Sequence, residues 1–264
     1  MFHRLTTGAL LGATALATLA ATPASAQRVD RIVAFGDSYV DDGNAFQLAG
    51  VPFPGPYPTG RFSGGSNYVD TLSSILSVPV DNFAIGGART DNTNVTTGLP
   101  GFTTQWQSFL AGGGPAAFPR TSGTFGANNL LLISIGGNDA RSYQLGGGAQ
   151  AGASAAATVA AANATTGLNA LVNAGARTIS FLAGNTATLP EVATNPAGQA
   201  VRNVYSTTFN TAMQQTLAGY ANRGVVVHYL DLSAIGERIT ANPGLYGLQS
   251  AGACPTPQCA TDPN

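Results

Sequence analysis

Three short apolar runs in this chain each stop on glycine, and that repetition restricts the fold more than any other feature of the sequence. Residues 30–35 (DRIVAF) end at Gly36, residues 79–85 end at Gly86-Gly87, and residues 129–135 (NLLLISI) end at Gly136-Gly137. Brief runs rich in Ile, Val and Leu read as strands buried on both faces. Helical stretches separate them. Residues 68–76 place Val69, Leu72, Ile75 and Leu76 on one face, residues 149–174 are dominated by alanine, and residues 199–220 carry Val201, Val204, Tyr205, Phe209, Ala212, Met213 and Leu217 at helical spacing. A low-complexity linker is the alternative for the alanine-rich segment. Residues 177–182 and 225–230 supply two more strands. Strands alternating with helices pair in parallel through right-handed crossovers. The expected fold is therefore α/β: a flavodoxin-like three-layer α/β/α sandwich with a mostly parallel sheet of about five strands. A chain of 264 residues builds one such domain.

Composition narrows the chemistry. The chain has 11 basic residues, all arginine and scattered singly, so nucleic acid is not an expected partner. Without lysine there is no P-loop, no Schiff-base chemistry and no Ser-Lys dyad. A Gly-x-Gly-x-x-Gly turn is also absent after the first strand, which argues against a nucleotide-binding domain. At the front, Arg4, an apolar run from Ala9 to Ala21 and Ala24-Ser25-Ala26 have the layout of a secretory signal peptide over residues 1–26. The run is shorter than the ~20 residues a bilayer requires. Cleavage after Ala26 is expected, giving a secreted or periplasmic protein, with cell-surface display as a further option. Export makes a disulfide available to Cys254 and Cys259, while two thiols without nearby histidines offer too few ligands for zinc.

In parallel sheets, ligands bind beyond the carboxyl ends of the strands. After the first strand comes Gly36-Asp37-Ser38-Tyr39-Val40-Asp41-Asp42-Gly43-Asn44, which exposes a serine hydroxyl on a strand-to-helix turn, near a helix N-terminus that favours developing negative charge. After the second comes Gly86-Gly87-Ala88-Arg89, where a glycine presents its backbone N–H without a side chain in the way. After the third comes Gly136-Gly137-Asn138-Asp139, whose asparagine amide can donate to the same oxygen. Each motif alone has a bland explanation, as a cap or a turn. Their order and their common address at strand ends point to acyl transfer.

Together, IVAFGDSYVDDGN, NFAIGGARTD and SIGGNDA resemble the GDSL family of lipases and esterases, also called SGNH hydrolases, over roughly residues 30 to 260. The opening block is similar to the branch that includes secreted bacterial lipases and the esterase passengers of autotransporters, with Tyr39 in place of the usual leucine. The resemblance implies that Ser38 is the nucleophile and one oxyanion donor, Gly87 the second donor and Asn138 the third. Gly87 is preferred to Gly86 because it lies five residues after Asn82. It further implies an ester substrate, no cofactor and no metal, a monomer, and an outer-membrane barrel in a longer parent protein as an option.

One block of the family pattern is missing. Family members carry an Asp-x-x-His near the C-terminus, in which histidine activates the serine, and no such block occurs here. The two histidines are His3, in the expected signal peptide, and His228, inside an apolar strand. The expectation is a hydrolase domain over residues 27–264 that stops before its last block and turns over poorly. The alternative is an inactive homologue that binds acylated glycans or lipids.

Overall fold

The computed structural model describes residues 28–50, 60–63, 65–114 and 117–251. The expected signal peptide, the Cys254/Cys259 pair and most of the Pro/Gly-rich loop after Ala49 lie outside the described residues. Five strands form one parallel sheet: β1 (Arg31–Gly36), β2 (Val80–Asn82), β3 (Asn129–Ser134), β4 (Thr178–Ala183) and β5 (Val226–Asp231), in the spatial order β2-β1-β3-β4-β5. This is the flavodoxin-like order, and all pairings are parallel as expected.

Side-chain alternation along β1 divides the core. Val33 and Phe35 point into the larger cluster, with Leu131 and Ile133 of β3 and Ile179 and Phe181 of β4. Ile32 and Ala34 point into the smaller one, with Leu130, Leu132 and Leu182. Helices α3 (Phe102–Leu110), α5 (Gln150–Asn173) and α6 (Pro196–Ala221) cover the larger cluster. Helices α2 (Tyr68–Leu76) and α7 (Leu232–Ala241) pack on the other side through Val69, Leu72 and Leu232.

The alanine-rich segment is a helix, not a linker. In α5 the residues Ala153, Ala157, Ala160, Ala161, Ala164, Gly167, Leu168 and Leu171 form one buried stripe. Small side chains there let neighbours approach closely: a Cβ on Gly167 would lie 2.5 Å from Phe102 and 2.8 Å from Trp106 of α3. In α6, Tyr205, Phe209, Met213 and Leu217 are buried as expected, but Arg202 and Ser206 share their stripe.

Two expectations are corrected in detail. Ile75 of α2 is 73% exposed and Leu76 39%. Ile75 follows Val69 by six residues, which at 100° per residue turns it about 120° off the buried face, and Leu76 sits in the last turn before Ser77 ends the helix. The second strand is shorter than its apolar run, because Phe83, Ala84 and Ile85 leave the ladder while staying fully buried.

Candidate active site

The strand order places a crevice where the chain leaves β1 and β3 toward opposite faces of the sheet. Ser38 follows β1, Gly87 follows β2 and Asn138 follows β3, and all three line one cleft of about 430 Å³. The remaining lining comes from Asp37, Tyr39, Phe62, Val95, Gly137, Arg141, Thr186, Leu189 and Glu191. An adjoining apolar compartment of about 380 Å³ shares Ser38, Tyr39 and Phe62, and runs to Tyr68, Leu182, Leu230, Leu232 and Ile235.

Ser38 sits on a tight turn whose shape is set beneath it. Gly36 has φ of +135°, and a Cβ there would lie 1.9 Å from the Ser134 carbonyl oxygen, so β1 reaches β3 this closely only with glycine. Buried Gln105 of α3 holds both sides of that residue: its Oε1 accepts from the Gly36 N–H at 2.7 Å and its Nε2 donates to the Gly36 carbonyl at 2.8 Å. Asp37 then turns inward, accepting from the Tyr39 N–H at 3.2 Å and the Ser134 hydroxyl at 3.0 Å. Burial pushes its carboxyl from 3.8 up to about 7 against these bonds. Among the described residues nothing hydrogen-bonds the Ser38 hydroxyl.

Helix α1 (Asn44–Ala49) begins six residues beyond the serine, after Gly43. The helix that opens directly into the cleft is α4 (Gly137–Leu145), whose first turn carries Asn138. A helix start carries partial positive charge, and this one has no side-chain cap.

Gly87 has φ of +81°, and a Cβ would meet Asn94 Oδ1 at 2.4 Å, so this turn at the cleft requires glycine. The Asn138 side chain donates from Nδ2 to the Ala88 carbonyl at 3.1 Å. One amide hydrogen thus fixes the group and the second remains for a ligand.

Sequence reasoning missed the residues that join these loops. Asp41 accepts from the N–H groups of Gly43 and Asn44 at 2.7 Å each, of Ala45 at 3.1 Å and of Gly86 at 2.5 Å. It therefore caps α1 and ties the turn after β1 to the peptide beside Gly87. Asn44 donates to the carbonyls of Asn82 and Ala84, and Asn82 donates back to Val40 at 2.7 Å. Asn94 Nδ2 holds the Gly86 carbonyl at 3.0 Å. The signal was present in the Asp-Asp-Gly-Asn run, whose short polar side chains cap turns and helix starts.

His228 lies in β5, exposed and paired with Ser180 in the ladder, and is not among the residues lining the cleft. No histidine reaches Ser38 among the described residues.

A doubly wound parallel sheet carrying a serine, a glycine amide and an asparagine amide in one crevice defines an α/β protein of hydrolase type. Residues 32–253 match the GDSL-like Lipase/Acylhydrolase family, and the chain belongs to that family of ester hydrolases. It is 30% identical over 122 residues to a thermolabile hemolysin of Vibrio parahaemolyticus, covering 45% of this chain and 27% of that protein. It is 33% identical over 141 residues to a GDSL esterase/lipase of Arabidopsis thaliana, covering 42% of this chain and 37% of the relative. The matches thus span about a third of the length of these curated relatives. Among solved structures, an extracellular lipase from Streptomyces rimosus aligns with TM-score 0.47 and 16% identity, over 78% of this chain and 81% of that one.

Proposed function

We propose that this protein is a carboxylesterase or lipase that cleaves esters through an acyl-enzyme on Ser38. The observation that carries this reading is the convergence of Ser38, Gly87 and Asn138, from three different strand ends, on one cleft. Ser38 Oγ attacks the carbonyl carbon, and the oxygen that becomes negative is held by the Ser38 and Gly87 N–H groups and the free hydrogen of the Asn138 amide. The apolar compartment beyond Tyr39 receives the acyl chain. Expulsion of the alcohol leaves the acyl group on Ser38, and water releases it.

A base must take the serine proton, and His228, the histidine among the described residues, does not line the cleft. The 264-residue chain on its own therefore turns over slowly, by precedent about a millionfold below a complete triad. Export after cleavage at Ala26 belongs to the same proposal, and a mature protein beginning at Gln27 in the periplasm or medium supports it. The alternative, an inactive homologue that binds acylated glycans or lipids, shares the cleft but not the chemistry.

Exogenous imidazole separates them. Residues 27–264 are assayed with a short-chain aryl ester across an imidazole titration, beside Ser38→Ala. The expected result is low basal turnover and a saturable imidazole-dependent increment that Ser38→Ala lacks. Identical curves for the two proteins refute the proposed nucleophile, and robust Ser38-dependent turnover without imidazole refutes the missing base.

A further inference from the structure

The part of the cleft lined by Arg141 and Glu191 carries a charge imbalance that ester hydrolysis does not use. Glu191 Oε1 is shared by two arginines. Arg202, whose side chain is 1% exposed, gives it one guanidinium nitrogen, Nη1, and turns Nε and Nη2 to the neutral Gln144 Oε1 at 3.1 and 2.9 Å. Arg141 Nε lies 3.2 Å from the same Glu191 oxygen, yet too poorly aligned for a hydrogen bond, and that buried N–H has no acceptor. Two cations thus face one anion, and Arg202 is the one hydrogen-bonded to it. Arg141 is one helical turn beyond Asn138 in α4, lines the cleft and is 43% exposed. The other carboxyl of the cleft, Asp37, does not cancel this charge, since it is turned inward to Tyr39 and Ser134 and held toward its neutral form by burial.

We infer that Arg141 is a specificity residue that binds an anionic group, phosphate or carboxylate, carried by the substrate beside its ester. An arginine that lines a half-enclosed cleft with its side chain 43% exposed, and whose carboxylate partner is already bonded to a second arginine, suits such an oxyanion. The apolar compartment adjoins the cleft at Ser38, Tyr39 and Phe62, and Arg141 lines the cleft but not that compartment, so the substrate class is an ester with an apolar acyl part and an anionic alcohol part. The orientation of that substrate rests on Ser38 being the nucleophile, whereas binding of the anion does not.

Calorimetric binding of hexyl phosphate, hexan-1-ol and inorganic phosphate to the 264-residue chain tests this without requiring turnover. Hexyl phosphate is expected to bind at least about tenfold tighter than either of the others, with affinity falling as salt rises. Arg141→Gln loses this preference and Arg141→Lys recovers part of it, while the unfolding midpoints of both stay near that of the parent. Equal binding of hexyl phosphate and hexan-1-ol, or a preference that survives Arg141→Gln, overturns the inference. Inorganic phosphate binding as tightly as hexyl phosphate also overturns it, as a site for free anions. Failure of the imidazole experiment alongside a retained anion preference contradicts the nucleophile and not Arg141.

Discussion

At the scale of single residues, this site depends on one carboxylate more than its motifs suggest. Asp41 accepts four backbone N–H groups from two loops, and is the only side chain that ties the start of α1 to the Gly86-Gly87 peptide among the described contacts. Asp41→Ala leaves several buried donors unpaired at once. It is expected to cost roughly 2–4 kcal/mol in urea unfolding, and to weaken Ser38-dependent chemistry through a displaced Gly87. Loss of less than about 0.5 kcal/mol contradicts this role. That Ser38, Gly87 and Asn138 share one cleft was legible from their positions after glycine-terminated strands. Asp41, Gln105 and Asn94 were not, because each acts on the backbone of a segment distant in sequence, and no local period marks such a bond.

At the scale of elements, the strands and long helices were legible to within a few residues, because burial on both sheet faces leaves uninterrupted apolar runs. Helices α1, α3, α4 and α7 were not. They are short, and α4 begins on Gly137 with polar residues that read equally well as a loop. In α5 the composition suggested a helix but not why alanine fills it. Gly167 under Phe102 and Trp106 gives the reason: α3 is seated directly on α5, and α3 carries the Gln105 that holds Gly36. Gly167→Leu therefore reaches the site through packing. It is expected to destabilise the fold by about 1–3 kcal/mol or more, read as a lowered urea midpoint with unchanged slope. An unchanged midpoint would mean that α3 and α5 are not in this contact.

At the scale of the whole molecule, the loops around the cleft concentrate acids, Asp37 and Asp41 buried and Asp42 and Asp139 half-buried. Burial is the largest cause for each: Asp37 is raised to about 7, Asp42 and Asp139 to about 6, and Asp41 is raised as well. An unfolded carboxyl releases its proton near 3.8, so between that value and pH 7 the folded protein binds more protons than the unfolded chain. The stability these groups contribute is complete below about pH 4 and is lost as pH rises through 6 to 7. The thermal midpoint is predicted to fall by roughly 5 °C or more between pH 5 and pH 8, and Asp37→Asn to flatten that slope. A midpoint that rises over this interval contradicts the burial of these groups. The net charge of -1 offers no long-range field to mask the effect.

All three scales converge on whether the Ser38 hydroxyl, which shares its cleft with Gly87 and Asn138, is the group that attacks an ester. The imidazole titration measures this most directly. The account predicts a saturable increment in aryl ester hydrolysis by residues 27–264 that disappears in Ser38→Ala. Superimposable curves for the two proteins would contradict it.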